Sequence, residues 1–69
     1  MARVQRINNG VESNWTTIHE AKGEKEVLRK YFEKLRGGLW KKGYRLMMSS
    51  KNEFAAVNSQ RTWIFRLVG

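Results

Sequence analysis

Few side chains in this sequence could perform acid–base or nucleophilic chemistry. His19 is the only histidine, the chain has no cysteine and no aspartate, and its six acidic residues are all glutamates. A Ser-His-Asp arrangement therefore has no aspartate to orient the histidine, and the nearest substitute in sequence is Glu20. A transition-metal site would need glutamates scattered among lysines, whose positive field opposes it. We expect no catalytic residue, no metal site and no cofactor, with His19 as a surface or capping residue.

Positive charge is the one chemical feature above the background. Fourteen lysines and arginines stand against six acidic residues, so the 69-residue chain has a formal net charge of +8. The segment from Lys34 to Lys51 holds six positive residues and no negative one. Two arginines of the last predicted strand would join it if that strand lies beside the one carrying Arg45. The predicted binding residues are Arg36, Lys41, Lys42, Arg45, Lys51, Arg61 and Arg66.

A basic patch with interleaved aromatic residues is typical of proteins that hold phosphates and stack on bases. The leading hypothesis is a non-enzymatic module that binds nucleic acid, DNA or RNA, with Trp40, Tyr44 or the outer face of a sheet contacting the bases. The alternative is a small inhibitor or modulator that docks on an acidic surface of a larger protein. Membrane attachment ranks third, because the apolar stripe of the helix is needed for the core. The plainest interpretation is that these lysines and arginines are ordinary solvated residues.

Length and composition indicate one small basic domain over residues 1–69. A chain of this size buries only about 60% of the surface that it exposes when unfolded, and aromatic residues are expected to supply much of its core. The absence of cysteine is compatible with a reducing compartment. No apolar run could span a bilayer, and residues 1–10 lack the apolar centre of a secretory signal, so the expected location is the cytoplasm.

One segment has a clear helical period, and the other elements are placed around it. Six apolar residues fall on one stripe at about 100° per residue, namely Val27, Leu28, Tyr31, Phe32, Leu35 and Leu39. The pair Gly37-Gly38 costs about 2 kcal/mol in a helix interior, and a continuous helix would turn Trp40 away from the stripe. We therefore predict a helix over residues 24–36, a break that lets Leu39 and Trp40 reach the core, and a terminating Gly43.

After the predicted helix the apolar period changes to two, which indicates β-strands. Residues 44–68 are predicted to form a three-stranded antiparallel meander, with turns at 50–52 and 58–60. In its last strand Trp63, Phe65 and Leu67 would face the helix, while Ile64 and Arg66 would face away. The free edge of so small a sheet makes a homodimer an expectation.

The first 17 residues leave two alternatives. They form either a β-hairpin, turning at Asn9-Gly10 in the two-residue type I′ geometry that this dipeptide favours, or a flexible arm. Thr17 followed by Glu20 matches a capping box and predicts a helical turn from Ile18.

The predicted fold class is thus α+β: one amphipathic helix packed on a three-stranded antiparallel meander, extended by the hairpin if residues 1–17 are ordered. This architecture resembles that of small DNA-binding domains, such as the AP2-type and integrase-arm domains, which lay their sheet in the major groove. The resemblance is one of architecture, without a shared motif, and it implies DNA contact by the sheet. The pattern of an RNA-recognition motif is absent.

Overall fold

The computed structural model describes all residues, Met1–Gly69, as an antiparallel sheet with one helix packed on one face. In chain order the elements are β1 (Ala2–Asn8), β2 (Thr16–Ala21), a 3-10 helix (Lys25–Leu28) that leads into α1 (Arg29–Lys41), β3 (Arg45–Met47), β4 (Glu53–Val57) and β5 (Thr62–Val68). The five strands lie in the order β2-β1-β5-β4-β3. The first and last strands are therefore neighbours, and β2 and β3 are the edges.

The α+β class is confirmed, and the meander predicted for residues 44–68 is β3–β4–β5. The sheet is larger than the three predicted strands, because the N-terminal hairpin is present and β1 pairs with β5 from Arg3–Val68 to Asn8–Trp63. The strand period of β1 is hard to detect because its sheet-inward positions change from apolar at Val4 to polar at Asn8.

The turn of the N-terminal hairpin differs from the prediction. Gly10 has a positive φ of 86°, but Asn9 does not, so the turn is not type I′. The carbonyl of Asn8 instead accepts the N–H groups of Val11 and Glu12 at 3.0 and 2.9 Å, and β2 begins only at Thr16. Residues 9–15 form a longer loop in place of the two-residue turn.

The helical turn predicted from Ile18 is wrong. This segment lies within β2, where His19 pairs with Val4 and Thr17 pairs with Gln5. A bulge between Val4 and Gln5 shifts the register at this point. Pairing along the edge of the sheet thus prevails over the local capping pattern.

The break predicted at Gly37-Gly38 is also wrong, because α1 continues to Lys41. Gly43, at φ 93°, ends it as predicted. The N–H of Gly43 donates to the carbonyl of Trp40 and the N–H of Tyr44 donates to that of Leu39, both at 3.1 Å, which is the Schellman pattern.

Helix continuity decides the position of Trp40. Its side chain lies on the solvent side of α1 and is 67% exposed, so its predicted place in the core is wrong. Leu39, the preceding residue, packs against the core as predicted. No helix in the structure combines the length and apolar character needed to cross a membrane.

The core lies between α1 and the inner face of the sheet. Phe32 and Phe54 are fully buried with ring centroids 5.1 Å apart, and Phe54 stacks on Phe65 at 4.9 Å. The predicted core position of Phe32 is therefore confirmed. Trp63 packs against the same cluster but remains partly exposed at its margin.

Candidate nucleic-acid interface

The antiparallel pairing determines at which of the two ends of the sheet each residue lies. Arg45 pairs with Val57, Val57 pairs with Thr62, and Asn8 pairs with Trp63, so these positions share one end. We term this the turn end; it comprises residues 8–16, 41–45 and 57–63. The opposite end carries residues 1–3, 20–29, 48–53 and 66–69.

Four of the seven predicted binding residues lie at the turn end. Lys41 and Lys42 close α1, Arg45 opens β3, and Arg61 precedes β5. All four side chains are exposed. None of them forms an ion pair, because both ion pairs of the protein are elsewhere.

Arg36 is not at the turn end, and its guanidinium is engaged inside the molecule. Its Nη2 donates to the carbonyl of Ser50 at 2.6 Å, and its Nη1 lies 3.2 Å from a carboxylate oxygen of Glu33. The guanidinium also lies over the rings of Phe32 and Phe54, 5.7 and 5.2 Å from their centroids. Arg36 therefore holds the β3–β4 loop against the helix.

The same loop places Lys51 at the opposite end, away from Lys41 and Lys42. Arg29, at the start of α1, donates to the carbonyl of Lys51 and, at 3.0 Å, to Oδ1 of Asn52. The two loop-binding arginines lie two turns apart on α1. They fix the course of the chain between β3 and β4.

Arg66 lies on the outer face of the sheet, which no other element covers. Its Nε donates to Oε1 of Gln5 at 2.8 Å, and its Cζ lies 3.9 Å from the ring centroid of Trp15. Nε2 of Gln5 in turn donates to Thr17 at 3.3 Å. Arg66 is therefore part of a polar cluster on that face and not of the turn end.

The sequence interpretation missed Arg6, which precedes the turn-end residues of β1 and extends its guanidinium to Trp63 at that end. Its Cζ lies 4.6 Å from the ring centroid of Trp63, and the Cζ of Arg61 lies 5.6 Å from the same centroid. Such contacts are worth about 0.5–2 kcal/mol each and orient the guanidinium without neutralising it. No local pattern marks Arg6, because its partner lies more than fifty residues away in sequence.

Both ends of the sheet carry lysines and arginines, but most of the acidic residues lie at the opposite end. The opposite end holds Glu20, Glu24, Glu26 and Glu53, and Glu33 is paired on the helix. The turn end has one acidic residue, Glu12, whose Oε1 accepts the N–H of Asn8 at 2.7 Å. The cations of the turn end are therefore the less compensated by nearby carboxylates.

His19 stacks on Tyr31 with ring centroids 4.1 Å apart, joining β2 to α1. Its side chain is exposed. No three histidine, cysteine, aspartate or glutamate side chains come together as a metal-ligand set.

Of the aromatic residues predicted to contact bases, Trp40 is exposed, whereas Tyr44 is partly buried against the core. No protein-family model, curated protein or solved structure matches this chain.

Proposed function

We propose that this protein is a non-enzymatic nucleic-acid-binding module that holds phosphates with the lysines and arginines of its turn end. One observation carries the proposal: cations spread in sequence from Arg6 to Arg61 meet at one end of the sheet, where a single glutamate accompanies them. Lysine and arginine side chains without carboxylate partners can each donate to phosphate oxygens. Contacts of this kind position a protein on a nucleic acid without reading its sequence.

The turn end offers four or five such contacts: Lys41, Lys42, Arg45 and Arg61, with Arg6 behind them. Each phosphate neutralised on duplex DNA contributes about −0.9 to the slope of log affinity against log salt. We therefore expect a slope of roughly −4 for a duplex and about −3 for a single strand, where each contact contributes less.

The test compares two double variants that remove the same charge from opposite ends. Lys41→Ala/Lys42→Ala should weaken binding of a labelled duplex and make the salt slope shallower by about 2, since two phosphate contacts are lost. Lys22→Ala/Lys51→Ala lowers the net charge equally, but at the opposite end, and should leave the slope unchanged. Fluorescence anisotropy titrations over a range of NaCl concentrations measure both.

Equal weakening by the two double variants would show that only net charge matters and that the turn end is not the site. Absence of binding to duplex and single strand at low salt would remove nucleic acid as the partner. The acidic-protein hypothesis then gains support from a partner that the protein captures from lysate and retains after nuclease treatment.

A further inference from the structure

The solvent side of α1 carries a second cationic surface that is separate from most of the turn end. At about 100° per residue, three exposed lysines lie along one flank of this side and Gly37 lies next to them. Trp40 lies on the other flank together with Glu33, whose carboxylate is paired with Arg36. We term this surface the outer helix track; its residues are Lys30, Lys34, Gly37, Trp40 and Lys41. None of its lysines is paired with a carboxylate.

Trp40 is 67% exposed. One turn before it on the helix are Arg36, whose guanidinium is drawn toward Ser50, and Gly37, which has no side chain. Most of the Trp40 side chain is thereby accessible beside a helix position that has no side chain. An open indole face next to unpaired lysines can stack a base while the lysines hold its phosphates.

Nothing inside the molecule requires glycine at position 37. A Cβ added there would meet no atom within 4 Å, and the helical backbone has no positive φ at this position. Glycine is among the least favourable residues in a helix interior. Its presence is explained if a ligand approaches the helix backbone closely beside Trp40.

We propose that the outer helix track binds a single strand of nucleic acid, with one base stacked on Trp40 above Gly37 and the adjacent phosphates held by Lys34 and Lys41. The proposal rests on the proposed function and specifies its ligand. Lys34 and Lys41 are two turns apart, about 10 Å along the helix axis. Only unpaired strands offer this site a base face, because the faces in a duplex are occupied by neighbouring bases.

Charge and composition favour this occupant over two others. A second copy of the chain would bring a further +8 charge to a surface that is already positive. An anionic membrane would attract the lysines, but Trp40 is the only large apolar residue of the track, which is too little apolar area for insertion.

The experiment measures the affinity for labelled oligothymidylate and for a duplex of the same length, using Trp40→Ala, Trp40→Phe and Gly37→Ala. Trp40→Ala should lower the single-strand affinity about tenfold and the duplex affinity by less than about twofold, because one stacked base is lost. Trp40→Phe should retain most of the single-strand affinity. Trp40 is exposed, so these variants should fold, which circular dichroism checks.

Gly37→Ala should raise the thermal midpoint, because alanine is more favourable than glycine in a helix. It should nevertheless lower the single-strand affinity, because the added methyl group occupies the helix surface beside Trp40 where the base would lie. Gly38→Ala is the matched control. It is also free of contacts within 4 Å but lies on the sheet side of the track, so it should raise the midpoint without changing affinity.

Suppose that Trp40→Ala and Gly37→Ala leave single-strand affinity unchanged while Lys41→Ala/Lys42→Ala still weakens binding. The proposal that the outer helix track binds a single strand is then wrong, and the proposed function stands. If the unaltered protein binds neither oligonucleotide, the proposed function fails first. Binding to phosphatidylserine vesicles that depends on Trp40, without such dependence for oligothymidylate, would also overturn the track proposal.

Discussion

Phe32 is the residue through which the helix and the sheet are most closely joined. It is 0% exposed and contacts the ring of Phe54, and the guanidinium of Arg36 covers it. Phe32→Ala should lower the free energy of unfolding by about 3–5 kcal/mol, because the transfer free energy of the ring is lost and a cavity remains. That is comparable with the whole stability of so small a domain. Urea denaturation followed by tryptophan fluorescence measures the change.

Val27→Ala serves as the control for this prediction, since Val27 is 55% exposed just before α1. It should shift the urea midpoint only slightly. A Phe32→Ala protein with the midpoint of the unaltered chain would contradict the packing described here.

The contacts of individual arginines could not be predicted from the sequence. The sequence correctly indicates which residues are charged, but not which guanidinium groups are already engaged. Arg36 binds the carbonyl of Ser50 and Arg66 binds Gln5, whereas Arg45 has no such partner. These contacts join residues separated by 14 and 61 positions, so no local spacing could distinguish the three arginines.

At the scale of elements, α1 illustrates how packing prevails over propensity. Two glycines in a helix interior cost about 2 kcal/mol relative to alanine, and this cost favours a break over a continuous helix. Continuity, however, keeps Leu35 and Leu39 against the core and leads into the Schellman end at Gly43. Those gains depend on tertiary contacts that propensity does not include.

The same substitution should therefore have opposite effects at two glycines of this region. Gly43→Ala should destabilise the protein by about 1–2 kcal/mol, because φ is 93° there and a Cβ disfavours the left-handed region. Gly38→Ala should stabilise it by about 0.5–1 kcal/mol, because the conformation is helical and the added methyl group meets no atom. Calorimetry should show midpoint shifts of opposite sign, about 4–8 °C per kcal/mol. Shifts of the same sign would mean that the helix does not end as described.

Some strand pairings can be predicted from local sequence pattern and others cannot. The meander of β3, β4 and β5 follows from alternation and turn residues, and each of its pairings is between neighbours in sequence. The pairing of β1 with β5 joins the two ends of the chain, and β1 itself alternates weakly. Arg6 was missed as a site residue for this reason, since only that pairing brings it to Trp63.

For the molecule as a whole, repulsion among the positive charges is offset only weakly by ion pairs. The net charge is +8, and the two ion pairs, Glu26–Arg29 and Glu33–Arg36, both lie on the helical segment with solvent-exposed carboxylates. Exposed pairs contribute about 0–1 kcal/mol each. The cations of the turn end have no carboxylate partner, so their mutual repulsion opposes folding.

Salt should therefore act with opposite signs on the free protein and on its complex with nucleic acid. Raising NaCl shortens the Debye length from about 30 Å at 0.01 M to about 10 Å at 0.1 M, which screens repulsion among the turn-end cations. The urea midpoint of the free protein should rise over this range while its affinity for nucleic acid falls. In Lys41→Ala/Lys42→Ala both effects should be smaller, because the same two charges contribute to repulsion and to phosphate binding. A urea midpoint that falls with salt would show that attraction between charges outweighs repulsion in the free protein. The cations of the turn end would then not be the uncompensated positive surface on which the proposed function depends.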